Sequence, residues 1–95
     1  MQVEATRQFK DWLDDLKDLS GRSRIQARIQ RLADGNPGQH RVLTGGVCEM
    51  KIDVGPGYRV YYTQRGVTLV ILLVGGDKKS QDNDVRQALE LASNL

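Results

Sequence analysis

The apolar residues of this chain change their period once, and the change divides it into a helical part and a sheet part. In the first third, Phe9, Trp12, Leu13, Leu16 and Leu19 recur at the three- and four-residue spacing of one helix face. From position 47 the spacing falls to two: Val47, Glu49, Lys51 and Asp53 alternate with Cys48, Met50, Ile52 and Val54. Helices followed by strands imply an α+β architecture.

Turn and cap residues set the boundaries. Residues 2–5 suit a short edge strand, and Thr6 suits the N-cap of a helix over about 6–18. Ser20-Gly21 should interrupt it. Ile25, Ile29 and Leu32 mark a second helix over about 21–34, stopped by Gly35-Asn36-Pro37-Gly38. The short link between the two predicts an antiparallel helical hairpin. A strand over 47–54 should have one wet and one apolar face. After Gly55-Pro56-Gly57 comes a second strand, Tyr58–Thr63, with Val60 and Tyr62 on one face and Arg59 and Tyr61 on the other. Gln64-Arg65-Gly66 is a tight turn. Val67–Val74 is almost wholly apolar, as a central strand covered on both faces would be, and Gly75-Gly76 should end it. Ser80 is placed to cap a last helix packed through Val85, Ala88, Leu89 and Ala92. The expected order is β-α-α-β-β-β-α: a mostly antiparallel sheet packed on an N-terminal helical hairpin, with a C-terminal helix.

The 95 residues leave room for one core, and 39% hydrophobic with 27% charged residues excludes a disordered chain or a coiled-coil rod. The single cysteine, Cys48, excludes an internal disulfide and fits a reducing compartment. No apolar run is long enough for a membrane span, and the opening residues do not read as a signal peptide. A cytoplasmic location is expected.

The net charge of +2 hides a strong asymmetry. Residues 1–21 sum to −2. Residues 22–42 sum to +4, with Arg22, Arg24, Arg28, Arg31 and Arg41 against Asp34 alone. Arg24, Arg28 and Arg31 fall on one stripe of the second helix. That stripe suits phosphate contacts or an acidic partner; taken alone, it suits better a solvated face paired with the acidic first helix.

His40 is the only histidine, and no cluster has metal-ligand spacing, so neither a metal nor another cofactor is expected. Cys48 falls on the apolar face as a small hydrophobe. Gly75-Gly76-Asp77-Lys78-Lys79-Ser80 lacks the spacing of a nucleotide-binding loop, although lysines at a helix start can hold a phosphate. The wet sheet face is richer. Arg59 offers a guanidinium fork, Lys51 lies on the adjacent strand, and Tyr61 offers a ring for a base. Such cations can stabilise the charge that grows on phosphorus when an RNA 2′-hydroxyl attacks. With no catalytic histidine, Glu49 or a lysine would serve as base. The competing reading is a solvated face in which Glu49 pairs with Lys51 and Arg59.

Three blocks carry a resemblance: Gly46-Val-Cys-Glu-Met-Lys-Ile-Asp53, Gly55-Pro-Gly-Tyr-Arg-Val-Tyr-Tyr62 and Leu72-Leu-Val-Gly-Gly-Asp-Lys-Lys-Ser-Gln81. With Phe9, Trp12-Leu13, Arg28-Ile29, Arg31-Leu32 and Gly35-Asn36, the chain resembles the addiction-module killer proteins. These are toxins of the RelE/ParE superfamily, on its HigB-like, phage-derived branch. The resemblance implies one RelE-like α+β toxin domain over residues 1–95. It implies the toxin of a type II toxin–antitoxin system, a metal-independent endoribonuclease (mRNA interferase) that cuts messenger RNA on the ribosome and so inhibits translation. It implies a cognate antitoxin, usually of helix-turn-helix type, with operator DNA bound only through the antitoxin complex.

Carried over residue by residue, Arg59 matches the phosphate-stabilising arginine of RelE-type toxins and Lys51 one of its strand lysines. Lys78 and Lys79 fall near another functional cation. Glu49 stands where RelE has a second lysine, and Asp82 or Asn83 near its C-terminal tyrosine. The HigB-type histidines have no counterpart. Expected RNA contacts are Tyr61, Arg24, Arg28 and Arg31. Two alternatives accompany this reading: a ParE-like poison of DNA gyrase acting by protein binding, and a degenerate toxin serving mainly in operon repression.

Overall fold

A computed structural model describes residues 1–95. Its elements are β1 (Gln2–Ala5), α1 (Arg7–Asp15), α2 (Leu19–Ala33), β2 (His40–Val42), β3 (Val47–Ile52), β4 (Tyr58–Arg65), β5 (Leu69–Gly76) and α3 (Gln81–Ser93). They form one five-stranded sheet in the order β1-β5-β4-β3-β2. Only the β1–β5 pair is parallel. The α+β class and the mostly antiparallel sheet agree with the sequence. The order does not: β2 is a strand too many for β-α-α-β-β-β-α. It is three residues long and exposed throughout, so no alternation marks it.

The caps explain the helix boundaries. Thr6 Oγ1 accepts the Phe9 amide (3.1 Å) and donates to the Leu73 carbonyl (2.6 Å), tying the start of α1 to β5. The first helix stops at Asp15, earlier than expected, because Asp18 caps the next one. Asp18 Oδ1 accepts the Gly21 amide at 3.0 Å, and Oδ2 accepts the Tyr58 hydroxyl at 2.7 Å. Ser20-Gly21 is therefore the first turn of α2 and not a break. Leu19 falls outside the α1 stripe and is 74% exposed. At the far end, Gly35 (φ +93°) and Asn36 donate to the Leu32 and Arg31 carbonyls, closing α2 in a left-handed glycine cap.

Two apolar clusters sandwich the sheet. Phe9, Ile25 and Leu32 from α1 and α2 pack with Met50, Ile52, Tyr58, Val60, Tyr62, Val70 and Leu72. On the other face, Ala88 and Ala92 of α3 pack with Val47, Tyr61, Leu73 and Val74. The face expected to be wet is thus covered by α3 over much of its area. Gly75 and Gly76 are the last two residues of β5 and are paired within the sheet, each admitting a neighbour where a Cβ would overlap. Gly75 takes the Trp12 ring and Gly76 the Asp84 carboxyl. A bulge pairs Tyr61 with Val74 but Tyr62 with Leu72. This extra residue sets Arg59 opposite Gly76 and not Gly75. No helix is long and apolar enough to cross a membrane.

Candidate functional site

The α3-facing side of the sheet carries two rows of polar residues. One runs from Lys51 through Arg59 to Gly76; the other runs from Arg41 through Glu49 and Tyr61 to Val74. Arg59 is only 6% exposed. Its Nη1 donates to the Gly57 carbonyl at 2.7 Å, in a turn where Gly57 has φ +81°. Its Nε is fully buried without a partner, and no carboxylate lies within ion-pair distance. A buried guanidinium lacking a counter-charge is costly unless an anion completes it.

Lys51 is half-buried beside Arg59 on β3. Lys78 comes from the turn after β5, and its Cβ lies 3.9 Å from where a Gly57 side chain would begin. That turn is tightly tied. Asp77 Oδ1 accepts the amides of Lys79 (2.9 Å) and Ser80 (3.2 Å), while Ser80 Oγ accepts the Asp77 amide (3.2 Å). Ser80 makes no side-chain cap bond to α3 and points to Asp84 instead. Lys79 is exposed on the same turn, and its side chain has no partner. The structure therefore brings Arg59, Lys51 and Lys78 to one end of the sheet.

Glu49 is placed differently from the sequence expectation. It is 5% exposed, with Oε1 taking Arg41 Nε and Oε2 taking Gln81 Nε2, each at 2.9 Å. Burial works against its charge, but the hydrogen bonds from Arg41 and Gln81 and the nearby Tyr61 outweigh it, so the carboxyl sits below its usual range. So tethered, it is a weak base and a structural anchor. It also does not pair with Lys51 or Arg59, as the solvated-face reading required.

Tyr61 is wholly buried, so its ring offers no platform to a base. Its hydroxyl faces Glu49 but makes no hydrogen bond of acceptable geometry. Burial, then Glu49, drives its acidity far down.

The arginine stripe lies on the opposite side of the sheet and divides in two. Arg28 is a strut: it donates to the carbonyls of Lys51 (2.8 Å), Pro37 (3.0 Å) and Gln39 (3.1 Å). Arg24 and Arg31 are exposed and unpaired. With Arg28, Ile52 and Asp53 they line a cleft of about 290 Å³. The acidic first helix takes only Arg22, through Asp14 at 3.5 Å. The largest cavity, about 470 Å³, lies between α1, α2 and the sheet, away from the cations.

Sequence reasoning missed Arg41, Gln81 and Asp84. Arg41 rides on the unrecognised β2. Asp84 had a signal, the four-residue spacing from Ser80 on a helix start after two glycines. No group of three His, Cys, Asp or Glu side chains could hold a metal ion.

Comparison with known proteins identifies a family. Residues 11–95 match the family described as phage derived protein Gp49-like. The whole chain also aligns with an uncharacterized protein of Haemophilus influenzae (strain ATCC 51907 / DSM 11121 / KW20 / Rd), at 46% identity over 95 residues, covering 96% of that protein.

Proposed function

The chain belongs to the phage-derived Gp49-like family, and we propose that it is the toxin of a type II toxin–antitoxin system acting as a metal-independent endoribonuclease on ribosome-bound messenger RNA. The observation that carries this reading is Arg59: buried, without a counter-ion, and in register with Lys51. Two such cations, with Lys78 across the turn, suit a phosphodiester whose charge rises as the 2′-oxygen attacks phosphorus. Preorganised donors of this kind act on the transition state more than on the bound substrate.

The partners in this reading are the ribosome with its messenger, and a cognate antitoxin of helix-turn-helix type that carries the complex to operator DNA. The site of action is the cytoplasm. A domain this small gains its specificity from the ribosome, which holds the messenger in one geometry.

The test is mapping of messenger 5′-ends after induction without antitoxin. New ends within translated codons, absent with Arg59→Ala, support the reading. Growth arrest with intact messengers and broken chromosomal DNA would replace it with gyrase poisoning, which needs no cation row. No growth arrest at all would leave the repression partner.

A further inference from the structure

Asp84 is the one buried carboxyl with no cationic partner. It is 7% exposed, and its only hydrogen bond is the one Oδ2 accepts from Ser80 Oγ, at 2.5 Å. Oδ1 has no partner in the protein, yet it is not among the enclosed orphan atoms and so keeps contact with solvent. The carboxyl lies on Gly76, at the place a Cβ would take, and Gly76 is the cross-strand partner of Arg59. The Asp84 carboxyl therefore lies on the same face as Arg59, about 5 Å from its β-carbon by strand spacing. The β4–β5 bulge creates this relation. Without it Arg59 would face Gly75, whose open side belongs to Trp12.

We propose that Asp84 is the proton donor to the leaving 5′-oxygen in the RNA cleavage of the preceding section, on which this inference rests. In that step O2′ bonds to phosphorus and its proton passes to water. The P–O5′ bond breaks, and the Asp84 proton passes to O5′. The products are a 2′,3′-cyclic phosphate and a 5′-hydroxyl, and solvent returns a proton to Asp84. As charge leaves the phosphorus centre it appears on Asp84, one strand position from the residue whose guanidinium would hold the phosphate. The groups around the carboxyl favour a held proton. Asp77 and Ser80 face it from the turn and Tyr61 from β4, with Glu49 beyond on β3 and Arg59 at the neighbouring strand position. Burial, together with the Asp77 charge, pushes the carboxyl up despite the Ser80 bond.

The test uses ribosomes programmed with a short messenger whose cleaved linkage carries either the normal 5′-oxygen or a bridging 5′-sulfur, which departs without a proton donor. Asp84→Asn keeps the shape and the bond from Ser80. It is expected to slow cleavage of the oxygen linkage by about 100-fold or more, and to leave the sulfur linkage within about threefold of wild type. The fall in the wild-type rate as rising pH strips the Asp84 proton should also vanish. Equal loss on both linkages assigns Asp84 to structure and overturns the proposal, as does an unchanged rate on both. Cleavage of both linkages by wild type upholds the endoribonuclease whatever the variant does. Cleavage of neither removes the reaction itself, and this proposal with it.

Discussion

Arg41 closes on Glu49 across the β2–β3 ladder, its Nε 2.9 Å from Oε1, and Gln81 of α3 holds the other oxygen at 2.9 Å. One carboxylate thus joins the outermost strand, an inner strand and the last helix. The anchor holds α3 over the sheet end where Arg59 lies.

Arg41→Ala should destabilise the protein by about 1–3 kcal/mol, since it leaves a buried carboxylate with one partner fewer. The sign with pH follows from the lowered folded-state value of Glu49. Its stabilisation is present above the unfolded carboxylate range and is lost as pH falls through the folded value. In the variant the folded value rises, so the loss begins at higher pH. Urea melts from about pH 3 to about pH 7 would show it.

Arg59→Ala should lower messenger cleavage by about 10²–10³-fold and relieve growth arrest. Its thermal stability should stay level or rise, because the guanidinium has no counter-ion and an unsatisfied Nε. A variant that melts early but still cleaves would make Arg59 structural.

Arg28 should behave differently from the other two stripe arginines. Arg28→Lys cannot span the carbonyls of Lys51, Pro37 and Gln39, and should cost about 2–3 kcal/mol. Arg24→Ala and Arg31→Ala should stay within about 0.5 kcal/mol of wild type. If these two meet ribosomal RNA, each loss should reduce the log–log salt slope of ribosome binding by just under about 1.

Gly75→Ala forces a methyl group into the ring of Trp12, the only tryptophan. A loss of about 1–3 kcal/mol is expected. A red-shifted tryptophan emission in the folded variant would report the displaced ring.

Legibility in the sequence followed periodicity. The stripes of Phe9, Ile25 and Ala88 were readable because each repeats over several turns of helix. The strand His40–Val42 was not, since three exposed residues carry no period. Tyr61 and Glu49 were read as surface because polar residues alternated with apolar ones; what buries them is α3, which arrives from more than 20 positions along the chain. Lys51, Arg59 and Lys78 were legible as a group because flanking glycine turns bring their strand ends together. The spacing of Asp84 from Ser80 was legible, but its place beside Arg59 was not, because that depends on a bulge of one residue.

The parallel pairing of β1 with β5 carries a consequence for synthesis. Gln2 meets Leu69, so the strand made first waits for nearly the whole chain before it can be placed. Thr6, which caps α1, is held by Leu73 in the same way. A nascent chain cannot complete its sheet while β5 is still inside the exit tunnel. The β3–β4–β5 meander, whose pairs lie close in sequence, can therefore form first, and β1 with the start of α1 is placed onto it last.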